Sequence, residues 1–450
     1  MPSLTMPPSE PEQTRPEIPA SGLNPSDFEN LGVGIFKARL AERGIKIPTP
    51  VQKLVIPRLL AGEGGLFTSP TGTGKTFAYL LPLFQRFLVK PAPRSDPVIL
   101  ICAPTYELCS QIKAEADFLL GNGEGETEKG DGTEEGGGAA PGLKLSRRAA
   151  LLIGTGNMSR QIEGLKKDKP AVIVGNAGRL LQLSRMGKLR FGGLCALVLD
   201  EGDRLCSDEL FTETEELVHR ALKGKTLKGQ APSGSEGEGR ILASCSATLP
   251  VKSRERLGSL LGELPFFDAG EGGAIPDLIS HWAIFSEGRR KIQTLRSFLA
   301  AARPRKALVF TSRREDVGKI LGDLQHHHLA AGALFADMER KGLSRKHAMD
   351  DFRKGRFPVL VSTDLAARGL DIGDLSHIIA LDVPQDAGAY LHRAGRTGRA
   401  GKRGIVVTIG DGPEMQALAK LEKKLGIAVY PKELRNGRVV VPCPDPPPPL

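Results

Sequence analysis

"LCALVLDEGD", residues 194–203, is a run of apolar residues closed by an acidic tip. An apolar stretch of this length, bounded by turn-forming residues, reads as a strand buried on both faces. Its C-terminal end then delivers Asp200 and Glu201 together. Asp200 can hold a magnesium ion through water, and Glu201 can orient and deprotonate an attacking water. Asp203 lies too far along to join the same metal shell and is expected to pair with another loop. An acidic turn after a core strand is the competing reading, so the rest of the chain has to decide.

Upstream, "SPTGTGKT" (69–76) follows a short apolar stretch and precedes a helical pattern. Glycines at 72 and 74 let backbone N–H groups close around phosphate oxygens, and the following helix N-terminus adds a favourable dipole. The candidate phosphate contacts are Thr71, Gly72, Thr73, Gly74, Lys75 and Thr76. Lys75 would reach the β- and γ-phosphates, and Thr76 would ligate magnesium. The strict phosphate-loop pattern asks for glycine at 69, where this chain has serine. A phosphate loop with a strand-borne Asp-Glu downstream is much stronger than either alone.

Further out, apolar runs recur at "VILICAPT", "AVIVGN" and "ILASCSAT", and resume after about residue 275 at "KALVFTS", "PVLVST", "HIIALDVP" and "GIVVTIG". Helical patterns such as "TFAYLLPLFQRFLV" separate many of them. Strand–helix alternation predicts parallel α/β sheets with ligands at the strands' C-terminal ends. We expect two such domains, at 24–270 and 280–430. Residues 1–23 and a tail from 431 to 450, both proline-rich, lie outside them. Two Gly/Glu-rich stretches, 121–142 and 223–240, read as flexible surface insertions.

The 450 residues carry a formal net charge of +10. Residues 279–430 hold 26 Lys/Arg against 16 Asp/Glu, so the excess sits in the second half. That imbalance suggests a polyanionic partner such as nucleic acid, with a solvated charged surface as the alternative. No stretch approaches the roughly 18 apolar residues of a membrane span. The N-terminus lacks the basic-then-apolar order of a secretory signal. The six cysteines show no paired spacing and read as buried free thiols in a reducing cytoplasm. His326–His328 reads as a polar helix end, because three consecutive residues cannot converge on one ion.

The order of the remaining motifs makes a family match. Over residues 28–425 the chain resembles the DEAD-box RNA helicases. "IPTPVQ" (47–52), with Phe28 upstream, is similar to that family's adenine-recognition motif. "SAT" (Ser246 to Thr248) resembles its coupling motif, and "STDLAARGLDI" (362–372) and "YLHRAGRTGR" (390–399) its second-domain signatures. The resemblance implies two tandem RecA-like parallel-sheet domains with ATP and magnesium in the cleft between them. It implies that Phe28 stacks on adenine, Gln52 reads its edge and Asp371 lies near the ribose. Arg396 and Arg399 would reach the γ-phosphate across the cleft, where an arginine is worth roughly 10³–10⁵ in rate. Asp203, Ser246, Thr248 and His392 would couple the motifs. Tyr106, Thr155, Gly178, Arg179, Thr363 and Gly369 would face RNA, single-stranded or short duplex, largely through its backbone.

Several motifs depart from the family pattern. Gly202 replaces alanine in Asp-Glu-Ala-Asp, which by itself deletes a methyl and loosens the backbone at about 0.5–1 kcal/mol. Tyr106 stands where the family has an arginine associated with RNA contact, and "NAGR" (176–179) replaces Thr-Pro-Gly-Arg. The expectation is therefore an ATP-dependent RNA helicase of the cytoplasm, with ribosomal or ribonucleoprotein partners. An ATP-gated RNA clamp with weak unwinding and a DNA-directed helicase of the same superfamily are the alternatives.

Overall fold

The computed structural model describes residues 27–70, 72–89, 97–121, 148–223, 240–269, 278–334, 345–364, 375–384, 387–398 and 402–442. Thr71, Gly369, Asp371, Arg399 and Cys443 lie outside the described residues, as do most of the two Gly/Glu-rich stretches.

Seven strands form the first sheet: β1 (Gly65–Thr68), β2 (Val98–Cys102), β3 (Ala149–Leu152), β4 (Val172–Gly175), β5 (Leu194–Asp200), β6 (Ile241–Ser246) and β7 (Phe266–Asp268). Their spatial order is β3-β4-β2-β5-β6-β1-β7, and every pairing is parallel. All seven residues of β5 are buried, as a central strand covered on both faces requires. Two apolar clusters lie on the two faces. One gathers Phe28, Tyr79 and Phe84 around Val198; the other gathers Leu180, Leu217 and Leu257 around Leu197 and Leu199. The strand order reverses beside β5 and β1, so the Asp-Glu tip and the phosphate loop open at a topological switch point.

The second sheet has eight strands: β8 (Ile279–Phe285), β9 (Ala307–Phe310), β10 (Ala331–Leu334), β11 (Val359–Ser362), β12 (His377–Ala380), β13 (Gly404–Gly410), β14 (Val429–Arg435) and β15 (Arg438–Val440). The order is β10-β11-β9-β12-β13-β8-β14-β15, parallel except for the β14–β15 hairpin. Two parallel α/β sheets are thus present. The tail expected from 431 is corrected over its first ten residues, because β14 and β15 continue the sheet to Val440. The cause is local. Asn436 (φ +50°) and Gly437 (φ +71°) both take left-handed backbone, the two-residue turn that suits a twisted hairpin.

Five cysteines, Cys102, Cys109, Cys195, Cys206 and Cys245, are free and buried. The helix Arg314–His326 ends at the histidine triplet, with His328 at φ +57°. Among the described residues, no helix is long and apolar enough to cross a membrane.

Candidate ATP and RNA site

The helix Lys75–Phe84 starts directly after the phosphate loop, with Gly74 as its cap at φ +86°. A side chain at 74 would be strained by that backbone and would also meet Gln52 Nε2 at 2.5 Å. Lys75 Nζ donates to the carbonyls of Ser69 (2.7 Å) and Pro70 (2.9 Å), so the ammonium is folded onto the loop it follows. Burial pushes its pKa down, against the opposing pull of Cys245, Asp200, Glu201 and Asp203. A phosphate entering the loop would compete with the two carbonyls for this charge.

At the tip of β5, Asp200 is 3 % exposed. Its Oδ1 accepts from Glu201 N (2.9 Å) and Cys245 Sγ (3.1 Å), and its Oδ2 accepts from the Tyr79 hydroxyl (2.9 Å). Glu201 follows at φ +50°, a left-handed conformation that costs a non-glycine residue roughly 1–3 kcal/mol. This turn ends the strand, starts the short helix Gly202–Leu205 and leaves the Glu201 side chain half-buried. Burial raises the Glu201 pKa above the ordinary glutamate value; the Arg396 charge is the largest influence pulling it back. Arg396 follows the helix Ala387–Ala394 on the second sheet, and its charge is felt at the strand tip of the first.

Asp203 pairs with the "SAT" motif, as expected. Ser246 Oγ donates to Asp203 Oδ1 (3.0 Å) and accepts from Asp203 N (2.9 Å), while Thr248 Oγ1 donates to Oδ2 (3.3 Å). His392 lies in the last turn of the helix Ala387–Ala394. Its neighbour Arg393, which the sequence reading did not single out, is 3 % exposed and clamped by Asp364 and Asp382. Arg393 Nη1 also donates to the Asp382 carbonyl (2.9 Å), which fixes the segment carrying Arg396.

The adenine motif departs from expectation. Phe28 is fully buried among Leu31, Val33 and Phe36, so it is a core side chain with no ring face open for stacking. Gln52 is 1 % exposed. Its Oε1 accepts from Thr49 N (2.9 Å) and its Nε2 donates to Gly74 O (3.2 Å), so the amide ties a helix start to the phosphate loop. Thr49-Pro50-Val51-Gln52 has the spacing of a helix-capping box, a signal for this bracing role that was present in the sequence.

The expected RNA-facing residues divide. Thr155 is exposed, and Tyr106, the first residue of the helix Tyr106–Leu120, is 39 % exposed. Arg179 is instead buried: its Nη2 donates to Gly154 O (2.8 Å) and its Nη1 to Gln161 Oε1 (3.2 Å). It braces the 154–156 loop rather than presenting a free guanidinium, which corrects its direct RNA role. Gly178 packs against Glu213; an added Cβ would lie 2.9 Å from Glu213 Oε2. Thr363 is buried at the end of β11.

Asp200 and Thr76 offer only oxygen donors, the set that suits magnesium. Thr76 lies beside the Tyr79 hydroxyl that also reaches Asp200, so the two donors are brought to one place. Among the described residues no group of three or more His, Cys, Asp or Glu could hold a metal ion.

Comparison with known proteins gives the same assignment. Residues 49–257 match the DEAD/DEAH box helicase family, and residues 290–401 match the helicase conserved C-terminal domain. The DEAD-box ATP-dependent RNA helicase CshC of Bacillus cereus is 33 % identical over 397 residues, covering 88 % of this chain and 90 % of the relative. The probable ATP-dependent RNA helicase YfmL of Bacillus subtilis is 32 % identical, covering 88 % and 93 %. In fold, the chain superposes on S. cerevisiae Dbp5 bound to RNA and ADP BeF3 with a TM-score of 0.74 at 21 % identity, over 91 % of this chain and 96 % of that one. With its phosphate loop, its Asp-Glu tip and its second-sheet arginine in place, this chain belongs to the DEAD-box ATP-dependent RNA helicases.

Proposed function

We propose that the chain couples ATP binding and hydrolysis to local unwinding of RNA or remodelling of ribonucleoproteins, and that its Asp-Glu-Gly-Asp sequence is a working form of the family motif. The observation that supports this best is the Glu201 carboxylate, raised in pKa by burial and faced by the Arg396 charge from the other sheet. Glu201 takes the proton of the attacking water. Arg396, with Arg399, meets charge developing on the γ-phosphate. Lys75 would hold the β- and γ-phosphates, and Thr76 and Asp200 would hold magnesium, which would supply neutralisation of phosphate charge. Asp203, joined to Ser246 and Thr248, passes the state of the Asp-Glu tip to β6.

RNA is gripped mainly through phosphates and 2′-hydroxyls, with Tyr106 and Thr155 as exposed contacts on the first sheet. Ribosomal or ribonucleoprotein partners and a cytoplasmic location fit five free buried thiols and an overall basic chain. The ATP-gated clamp is a second reading. It is favoured by Arg179, which is turned into the protein, and by the Glu213 carboxylate beside Gly178.

A duplex-displacement assay run beside RNA- and DNA-stimulated ATPase separates these functions. Unwinding with RNA-selective stimulation supports the helicase. RNA-stimulated hydrolysis without strand separation supports the clamp. Equal stimulation by DNA would overturn the RNA assignment.

A further inference from the structure

Two buried side chains that the motif reading leaves unassigned converge on Asp200. Tyr79 and Cys245 are both fully buried. Tyr79 stands three residues after Thr76 on the helix Lys75–Phe84, so the two share a helix face. Its hydroxyl donates to Asp200 Oδ2 at 2.9 Å across 121 residues of sequence. Cys245 sits on β6 directly opposite Asp200 of β5, and its thiol donates to Asp200 Oδ1 at 3.1 Å. With the Glu201 amide on Oδ1, both carboxylate oxygens have protein donors.

We propose that Tyr79 and Cys245 are positioning residues that fix the Asp200 carboxylate for the nucleotide-bound metal ion. The proposal rests on the assignment of Asp200 and Thr76 to magnesium made above.

The chemistry is consistent. An ionised carboxylate only accepts hydrogen bonds, so its partners must keep their protons. A phenol and a thiol ordinarily keep their protons at neutral pH, so both can donate to the carboxylate in the geometry seen here. The phenol is rigidly held, because its ring is fully buried in the apolar cluster on that face of the first sheet. Outer-shell donors of this kind typically control metal affinity by about 10–100-fold. The competing account is that a buried phenol and a buried thiol simply take the nearest acceptor. That account predicts lost stability without a change in metal dependence.

The test compares ADP affinity of the full chain in magnesium and in excess EDTA, by titration with a fluorescent ADP. Manganese affinity of the protein–ADP complex is read in parallel by electron paramagnetic resonance. For Tyr79→Phe, which keeps the ring, the magnesium-dependent gain in ADP affinity should shrink about 10-fold or more. Metal-free ADP affinity should stay within about two-fold, and manganese half-saturation should rise in step. Cys245→Ala should act in the same direction and Cys245→Ser, which keeps a donor, should restore the wild-type ratio. The cysteine pair also decides the matter if Tyr79→Phe fails to fold. Wild-type metal dependence in Tyr79→Phe and Cys245→Ala would overturn the positioning role alone. No metal effect on ADP binding in the wild type would overturn the metal assignment and this proposal together.

Discussion

Gly202 stands so close to Ser244 that a Cβ added to the glycine would fall below 3.0 Å from Ser244 Oγ, nearer than real Cβ contacts come. Ser244 is not free to yield, because its hydroxyl donates to Leu199 O (3.1 Å) on the neighbouring strand β5. The glycine at the third position of the acidic motif is therefore matched by the serine two residues before the "SAT" motif. Its backbone is not left-handed, so space rather than conformational freedom explains it. Gly202→Ala, which restores the family's Asp-Glu-Ala-Asp, should destabilise this protein by about 1–3 kcal/mol, the usual cost of overpacking. Gly202→Ala with Ser244→Ala should recover most of that loss. Urea denaturation of the two single variants and the double variant measures the coupling. Additive losses would mean that the two residues do not share the space.

Glu201→Gln should remove the base and keep the fold of the strand tip. Hydrolysis should fall at least ~10²-fold, the range of general-base loss, while ADP affinity stays within a few-fold. Single-turnover hydrolysis and ADP titration measure the two separately. A wild-type rate would place the base elsewhere.

The pH profile should report the Arg396–Glu201 relationship. Glu201 works deprotonated, and burial raises its pKa, so activity should fail on the acid side at a higher pH than an ordinary glutamate would give. Arg396 pulls that pKa down, so removing its charge must push it up. Arg396→Gln should therefore move the acid limb of kcat to higher pH, in addition to lowering the plateau. A lowered plateau with an unmoved limb would separate Arg396 from Glu201.

How far the sequence foretold this site depends on whether a residue's role is local. The placement of residues 69–76 before a helix, of Asp200 and Glu201 at a strand tip, and the Asp203–Ser246 link were legible, because spacing and motif order specify them. Phe28 was misjudged because an aromatic at a motif position looks the same in sequence whether it faces a base or the core. Arg179 was misjudged for a related reason. Its partners, the Gly154 carbonyl and Gln161, come from another loop and helix that only folding brings near. The hairpin at 429–440 carries a strong short-range signal, "NG" between two strands, which the proline-rich end immediately beyond it masks in the sequence. Tyr79 and Ser244 were not legible, since each acts through a neighbour distant in sequence.

Tyr106 offers the clearest test of whether the altered first-sheet motifs weaken the grip on RNA. It is 39 % exposed at the start of the helix Tyr106–Leu120, whose N-cap Thr105 accepts from Leu108 N at 3.3 Å. The ring is thus available to solvent rather than packed inside. A tyrosine there can stack on a base, worth ~1–3 kcal/mol when fully made, but lacks the charge that an arginine brings to phosphate. Tyr106→Arg should tighten ATP-dependent RNA binding and steepen its salt dependence by about −0.7 in the log–log slope, one more neutralised phosphate. The same substitution puts a positive charge at a helix N-terminus, which should cost about 0.3–1 kcal/mol of stability. Affinity should therefore rise as thermal stability falls slightly, two effects of opposite sign from one charge. Tyr106→Phe should leave binding nearly unchanged if stacking dominates, and Tyr106→Ala should weaken it. RNA titrations at several salt concentrations, with melting curves for each variant, measure every term. Unchanged RNA affinity and slope in all three folded variants would remove Tyr106 from the RNA interface.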